Sequence, residues 1–256
     1  MLTRPRTVTA TRYVTPLREG GSLPAVMEAD DDGLYVVKFH GAGQGPRALV
    51  AELVAGEIGR HLGLLVPEIV FVELDPVLAR AEPDQEIQDL IARSGGLNIG
   101  LDFLPGALAF NPAVGPRPSR EGATDIVWFD ALVTNIDRTA KNVNLLAWHG
   151  RLWLIDHGAS IYIHHTWRDP DAHARRPFAN LDQHVLWPLA GPLEEADARL
   201  APRLDRAALE EIVAWIPDVW LLEPGDGAAS PDERRAAYVA YFTRRLNAPR
   251  PFLPHD

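Results

Sequence analysis

Residues 135–142 read Asn-Ile-Asp-Arg-Thr-Ala-Lys-Asn, and residues 154–158 read Leu-Ile-Asp-His-Gly. The first segment is a polar loop between a predicted helix and a predicted strand, and the second ends an apolar strand in an acid. A His-Gly turn between the two strands indicates a hairpin, which returns Asp156 to the side of the loop. Asp137 would orient a hydroxyl group, and the oxygens of Asn142 and Asp156 are ligands of the kind that Mg²⁺ prefers. Phosphoryl transfer needs these groups, because its catalysis consists mostly of positioning and of neutralising charge.

The chain before this loop is predicted to begin with strands around one long helix. Residues 1–19 include two prolines and are predicted to be irregular, and the Gly-Gly-Ser sequence at 20–22 indicates a tight turn. The apolar residues of segment 47–62 recur at helical spacing, and Gly63 ends this helix. The other predicted elements are a second helix at 83–94, a hairpin turn at 30–33 and strands at 24–29, 34–39, 68–74 and 97–104.

The later part of the chain is predicted to be mostly helical. Residues 107–122, rich in proline and glycine, are predicted to form a loop, and Thr124 would cap the helix that follows. The order of elements predicts an α+β fold of two lobes, a β-rich lobe at 1–104 and a helical lobe with a catalytic hairpin at 105–256, separated by a crevice within a single domain. The remaining predicted elements are a helix ending at about residue 133, hairpin strands at 142–148 and 151–156, and amphipathic helices at 204–215 and 231–246.

The composition excludes several classes of protein. The chain has 256 residues, of which 46% are hydrophobic and 23% charged, as is ordinary for a soluble globular protein. Its formal net charge of −10 disfavours binding to nucleic acids and to anionic membranes. The absence of cysteine excludes disulfides, thiolate catalysis and cysteine metal sites. No signal peptide and no apolar run of about 18 residues is found, so we expect no membrane span and a cytoplasmic location.

The lysines of the chain are unusually few. Only two of the 25 basic residues are lysines, Lys38 and Lys141. In a chain so rich in arginine, a lysine indicates a position that needs a compact, flexible point charge rather than a planar guanidinium. Lys38 ends a predicted strand, and Lys141 lies in the polar loop directly before Asn142. Because chance would seldom bring both lysines into two short motifs, their positions favour functional roles.

The polar loop resembles the catalytic and metal-binding loops of the protein-kinase-like superfamily, in which D-x-x-x-x-N is followed by a hairpin and D-x-G. The form N-x-D-R-x-x-K-N is most similar to the HipA-like kinases and more distantly to phosphoinositide-kinase-like enzymes. The resemblance covers roughly residues 18–246. It implies a protein-kinase-like two-lobed fold, ATP and Mg²⁺ as cofactors, and transfer of the γ-phosphate to a hydroxyl acceptor, with protein serine or threonine among the candidates.

The same resemblance implies the residues that bind ATP. Lys38, in the sequence Tyr-Val-Val-Lys, would bind the phosphates and pair with a glutamate of the long helix. The helical wheel does not distinguish Glu52 from Glu57, but the spacing to Gly63 favours Glu52. The further ATP-binding residues would be Gly20, Gly21 and Ser22 as a loop over the phosphates, and Leu101, Asp102, Phe103 and Leu104 as the hinge that meets adenine.

The resemblance also implies the catalytic and metal-binding residues. Asp137 would orient the acceptor hydroxyl and take its proton, and Lys141 would reach the γ-phosphate or the transferred group. Asn142 and Asp156 would hold Mg²⁺. These four residues lie in the two segments that the family uses for phosphoryl transfer.

Two positions depart from the pattern of the family. Thr139 stands where the loop of the family often has histidine, and His157 replaces the phenylalanine of the protein-kinase D-F-G motif. We expect His157 to pack or hydrogen-bond locally, and we expect Asn135 and Asn144 to stabilise the loop.

The sequence is compatible with more than one function and more than one acceptor. One alternative to an active kinase is a nucleotide-binding pseudokinase or scaffold that transfers nothing, and another is a kinase for a lipid or a small molecule. The sequence has no arginine-rich DNA-binding segment and no signature of an antitoxin-type partner. The predicted partners are therefore ATP and an unidentified hydroxyl-bearing acceptor.

Overall fold

The N-terminal part of the chain forms a closed five-stranded β-barrel in the computed structural model, which describes residues 2–17, 23–179, 181–221 and 230–253. The barrel strands are β1 (Thr7–Pro16), β2 (Ala25–Ala29), β3 (Leu34–Lys38), β4 (Ile69–Leu74) and β5 (Gly96–Asp102). They are hydrogen-bonded in the order β1-β2-β3-β5-β4, with antiparallel neighbours. The barrel closes because β1 also pairs in parallel with β4.

Strand β1 shows that the prediction of an irregular segment at 1–19 is wrong. Val8 and Ala10 are buried in the barrel, while the threonines beside them are exposed. Register shifts against β2, between Ala10 and Arg12 and again after Tyr13, interrupt this alternation and hide the strand in the sequence. The two prolines of the segment lie before the strand and at its last residue, where they remove no hydrogen bond from its interior.

Helix α1 (Pro46–Leu62) lies between the barrel and the C-terminal helices, and most of its residues are buried. Gly63 ends it as predicted, in the left-handed conformation with φ 88°. Gly56 makes room for the side chain of Ile69 in β4, because a Cβ at this position would lie 2.5 Å from Cδ1 of Ile69. The helix holds Glu52, which has no exposure to solvent, beside Lys38 at the end of β3.

The other predicted elements of the barrel region are confirmed. Strands β2, β3, β4 and β5 lie within two residues of their predicted ends. Helix α2 (Gln85–Arg93) begins after Asp84, whose carboxylate accepts a hydrogen bond from the backbone N–H of Glu86 at 3.1 Å. It packs on the barrel, since its apolar residues belong to the same buried cluster as the strand residues.

The rest of the chain is mostly helical around one small sheet. Its elements are β6 (Leu108–Ala109), α3 (Arg120–Val133), β7 (Leu145–Trp148), β8 (Arg151–Leu154), α4 (Pro170–Ala174), α5 (Leu193–Leu200), α6 (Arg206–Ala214) and α7 (Pro231–Leu246). Strands β7 and β8 form the predicted hairpin, and β6 adds a third antiparallel strand within the segment predicted as a loop. Helix α3 is capped by Ser119 rather than by Thr124: Ser119 accepts from the N–H of Gly122 at 3.0 Å. Both residues are of capping type, so the sequence alone does not distinguish them.

The barrel and the helical part share a buried core. One cluster of apolar side chains runs from α1 through the faces of β4 and β5 that point away from the barrel interior to α3, α6 and α7, while the barrel interior forms a second cluster. At this junction the ring of Trp220 lies 5.7 Å from that of Phe71, and its Nε1 donates to the carbonyl of Leu97 at 3.2 Å. The mixed α+β composition is confirmed, and helix α7 has the predicted bounds. Within the ranges described, no helix combines the length and the apolar composition that a membrane span requires.

Candidate active site

A cavity of about 270 Å³ lies where the end of β3, the start of α1 and the loops after α3 and β8 meet. Three of the residues singled out in the sequence line it: Lys38, Asp137 and Asp156. The other lining residues come mainly from the segment between β3 and α1 and from the turn after β8: Phe39, Ala42, Gly43, Gln44, Gly45, Ala48, Leu49, Gly158 and Ala159.

Lys38 is held between two carboxylates at the wall of this cavity. Its Nζ lies 2.5 Å from Oε2 of Glu52 and 2.7 Å from Oδ1 of Asp156. The side chain of Glu52 is fully buried, that of Lys38 is 12% exposed and that of Asp156 is 39% exposed. The other candidate on α1, Glu57, lies 3.4 Å from Arg60 instead, and burial raises its pKa to about 7. The contact with Lys38 therefore belongs to Glu52.

The ion pair outweighs the cost of burying its charges. Burial by itself lowers the pKa of Lys38, but Glu52 and Asp156 more than reverse this and hold it above its ordinary value. Burial by itself raises the pKa of Glu52, but Lys38 and His157 lower it to about 2. Both partners are therefore charged at neutral pH, and the removal of Lys38 leaves the fully buried carboxylate of Glu52 without its cation.

His157 connects the turn after β8 to α1. Its backbone N–H donates to Oε2 of Glu52 at 2.9 Å, and its Nδ1 lies 3.2 Å from Oε1 of the same carboxylate. Its ring packs edge-on against Phe129, with centroids 5.9 Å apart. The packing is as predicted, but the hydrogen-bond partner is not local in the sequence. Together, Lys38 and His157 fix both oxygens of Glu52.

The loop that carries Asp137 is ordered by asparagines. Nδ2 of Asn142 donates to Oδ2 of Asp137 at 2.7 Å, and Nδ2 of Asn144 donates to the carbonyl of Asp137 at 3.2 Å. Oδ1 of Asn135 accepts from the backbone N–H of Asp137 at 3.1 Å. The hydroxyl of Thr139 accepts from the N–H groups of the next turn. Asn135 and Asn144 thus stabilise the loop as expected.

Arg138 is a structural centre of the site that the sequence analysis missed. Its side chain and that of Asp130 have no exposure, and its Nε donates to Oδ2 of Asp130 at 2.6 Å. Its Nη1 donates to the carbonyls of Asn144 and, at 3.4 Å, of Ile155. Nε2 of His184 reaches the same carboxylate at 2.9 Å. The one feature of the sequence that could have indicated this buried pair is Asp130 itself, an acid among apolar residues in the last turns of α3.

Several predicted site residues are not brought to the cavity. Lys141 and Asn142 lie in the exposed part of the loop outside the lining. Segment 101–104 lies at the end of β5 and beyond it, also outside the lining. Gly20, Gly21 and Ser22 fall outside the described residues. The glycine-rich segment 42–45 lines the cavity instead, and no pattern in the sequence assigned it a role.

The described residues contain no group of three or more His, Asp or Glu side chains arranged to hold a metal ion. The predicted magnesium ligands are different in kind, one amide and one carboxylate. Asp156 faces the cavity, whereas Asn142 reaches it only through its hydrogen bond to Asp137.

Comparison with known proteins gives the family. The crystal structure of the Helicobacter pylori proinflammatory kinase CtkA is similar in fold, with a TM-score of 0.53, 14% sequence identity and coverage of 94% of this chain and 99% of that chain. The Golgi casein kinase, solved with Mn and ADP bound, gives a TM-score of 0.42 and 12% identity over 95% of this chain and 73% of that chain. None of the curated protein sequences is a significant match. The HipA-like kinase family matches residues 11–244, and because this match spans most of the sequence, the chain belongs to that family of kinases.

Proposed function

We propose that this kinase transfers the γ-phosphate of ATP to a hydroxyl acceptor with the help of Mg²⁺, using two lobes at 1–104 and 105–256. The observation that carries the proposal is Lys38, whose Nζ lies between Glu52 and Asp156 beside a cavity that Asp137 also lines. A cation for the phosphates, a carboxylate for a metal and a proton acceptor thus share one cavity. Phosphoryl transfer needs these parts.

The donor set fits a metal-bound triphosphate. Asp156 offers a partly exposed carboxylate, and Asn142 directs its Nδ2 to Asp137, so that its side-chain carbonyl oxygen would be the ligand atom. Hard oxygen ligands of this kind suit Mg²⁺, which when bound neutralises charge on phosphoryl oxygens. The other proposed contacts are Lys38 and the turn at 20–22 with the phosphates, Lys141 with the transferred group, and 101–104 with adenine.

Asp137 is proposed to receive the proton of the acceptor hydroxyl. Its carboxylate accepts from Asn142 at 2.7 Å and its backbone N–H donates to Asn135 at 3.1 Å, so the group is oriented before a substrate arrives. The acceptor oxygen bonds to phosphorus, ADP leaves with the electrons of the broken bond, and Asp137 takes the proton. The loss of such a positioned group costs about 10²–10⁴-fold in rate.

A thermal-shift titration with ATP, with and without Mg²⁺, tests the proposed nucleotide site. Ligand at 100 times its Kd stabilises the folded state by about 2.7 kcal/mol. We expect a shift that depends on Mg²⁺ in the wild type and in Asp137→Asn, and its loss in Lys38→Ala and Asp156→Asn. The exposed Asp182→Asn is the matched control and should behave as the wild type does.

Transfer is measured on the same variants as autophosphorylation or ATP hydrolysis. We expect Asp137→Asn to bind Mg²⁺ and ATP but to lose about 10²–10⁴-fold in turnover. A wild type that gives no shift with any nucleotide contradicts the proposal. Binding without transfer in the wild type supports the alternative of a pseudokinase.

A further inference from the structure

A second cavity of about 250 Å³ adjoins the one that Lys38 lines. Gln44 and Ala159 line both cavities, and Ile136, which lines the second, directly precedes Asp137 in the chain. The remaining lining residues are Tyr162 and His165. The second cavity therefore lies next to the carboxylate at which an acceptor hydroxyl must arrive.

The walls of this second cavity are held by hydrogen bonds from two helices. The backbone N–H of Tyr162 donates to the hydroxyl of Thr134, at the end of α3, at 3.2 Å. Nη1 of Arg47, in the first turn of α1, donates to the carbonyl of His165 at 2.8 Å. The ring centroids of Tyr162 and His165 lie 5.8 Å apart. The short segment 162–165 is thus fixed at both ends.

The lining of the second cavity combines three largely apolar residues, Ile136, Ala159 and Tyr162, with two polar ones, Gln44 and His165. Ile136 is 41% exposed and Tyr162 is 54% exposed, although both are large hydrophobic side chains. None of the five lining residues is a lysine, arginine, aspartate or glutamate. Exposed apolar side chains grouped beside a reactive centre are typical of a binding surface. The occupant that fits is a largely apolar group, because the lining has no lysine or arginine to pair with a phosphate or carboxylate, and its polar members are Gln44 and His165.

The size of the cavity distinguishes between two kinds of occupant, a whole small molecule and one part of a larger acceptor. A volume of about 250 Å³ is below the ~300–1,000 Å³ of pockets that enclose a drug-sized ligand. It accommodates one large side chain, and the rest of such an acceptor would lie outside. The net charge of −10 disfavours an anionic lipid surface as that larger acceptor. A polypeptide can place one large side chain in the cavity while the rest lies outside, and it is not an anionic lipid surface.

We infer that this second cavity is a specificity subsite, which takes an apolar side chain of a polypeptide acceptor within two residues of the phosphorylated serine or threonine. The inference rests on the proposed function, because it needs Asp137 to receive the acceptor hydroxyl. It goes further in assigning selectivity to Ile136 and Tyr162. A chain in extended conformation advances about 3.3 Å per residue, so a side chain one or two residues from the hydroxyl reaches the cavity that begins at Ile136.

The test is a peptide library with a central Ser or Thr and one fixed residue at each of the positions two before to two after it, phosphorylated with Mg²⁺ and labelled ATP. We expect at least several-fold preference for Leu, Ile, Met or Phe at one of these positions in the wild type. The Ile136→Ala, Tyr162→Ala double variant should lose the preference, and Tyr162→Arg should move it toward Asp and Glu. Val219→Ala, at a site that is 71% exposed and outside both linings, is the control and should keep it.

Thermal shift with Mg²⁺ and ATP on the same proteins separates the two possible failures. A wild type that binds no nucleotide overturns the proposed function itself. A wild type that binds nucleotide but phosphorylates no library peptide overturns only the polypeptide subsite and leaves a small acceptor. An apolar preference that survives the double variant, or a preference for charged residues in the wild type, also overturns the subsite.

Discussion

Glu52 is the most constrained single residue of the site. One carboxylate accepts from the ammonium of Lys38 and from the backbone of His157, and it contacts the ring of His157 as well. The positions of Lys38 and His157 thus depend on one carboxylate charge that is fully buried. A buried charge of this kind makes the stability of the protein depend on pH, because its protonation differs between the folded and unfolded chain.

We expect acid to weaken the fold through Glu52. Its carboxyl has an ordinary pKa of 4.5 and a folded-state pKa of about 2, so between these values the unfolded chain binds more protons. The stabilisation that ionised Glu52 contributes is therefore fully present above about pH 4.5 and is lost as the pH falls toward 2. In Glu52→Gln the difference in the free energy of unfolding between pH 7 and pH 3 should be smaller than in the wild type.

Urea unfolding of both proteins at pH 7 and pH 3 measures this difference. Asp130 also has a lowered pKa, about 2, but it is present in both proteins, so its contribution cancels in the comparison. An equal pH effect in the wild type and in Glu52→Gln would mean that the ion pair with Lys38 does not stabilise the fold.

Arg138 carries a second prediction at the scale of the residue. It connects α3 to the loop of Asp137 and to the strand end that precedes Asp156. Arg138→Ala leaves the buried carboxylate of Asp130 with its contacts to Asn135 and His184 but without its arginine, and we expect a loss of about 3–5 kcal/mol in the free energy of unfolding. Arg206→Ala is the control, since Arg206 forms an exposed pair with Glu210 at 2.7 Å and should cost less than about 1 kcal/mol. Similar losses from the two substitutions in urea unfolding would contradict a central role for Arg138.

The residues that the sequence could identify are those whose neighbours in the chain form a short motif. Lys38, Asp137 and Asp156 were found in this way, and the structure brings them to one cavity. Arg138 looked ordinary, because the chain is rich in arginine and its contacts with the carbonyls of Asn144 and Ile155 exist only after folding. A contact that depends on tertiary structure leaves no periodic or local pattern in the sequence.

At the scale of the element, helices and strands whose apolar residues recur at regular spacing could be predicted from the sequence, and a strand with interrupted spacing could not. Helix α7 was predicted with its observed bounds from its amphipathic pattern, and the structure shows Ser230 as its cap and Pro231 as its first residue. Strand β1 was missed because its register shifts place successive apolar residues out of alternation. The close approach of Gly56 in α1 to the side chain of Ile69 in β4 is likewise invisible in the sequence.

Gly56 allows a direct test of that approach. In an exposed helix, Gly→Ala would stabilise by about 1 kcal/mol, but here the new Cβ would lie 2.5 Å from Cδ1 of Ile69. We expect Gly56→Ala to cost about 1–3 kcal/mol through overpacking. Ile69→Val removes the atom in conflict, so the double variant should be less destabilised than the sum of the two single variants. Urea unfolding of the four proteins gives this coupling, and simple additivity would contradict the contact.

At the scale of the whole molecule, the shared core couples the unfolding of the barrel to that of the helical part. The same buried cluster contains residues of α1, of the barrel strands and of the C-terminal helices. Trp220 adds a ring contact with Phe71 and a hydrogen bond to Leu97 across the junction. The cavity with Lys38 and Asp137 lies between elements of both parts, so nucleotide bound there would connect them further.

We therefore expect the chain to unfold in one cooperative transition rather than in two. All seven tryptophans follow residue 120, so their fluorescence reports mainly on the helical part. The chain contains no cysteine, so Leu34→Cys, at a barrel position that is 37% exposed, allows one dye to report on the barrel. The two signals should give the same urea midpoint, and Mg²⁺ with ATP should raise both equally. Separate midpoints would show that the shared core does not couple the barrel to the helices, and a shift of only one signal would place the bound nucleotide on a single part.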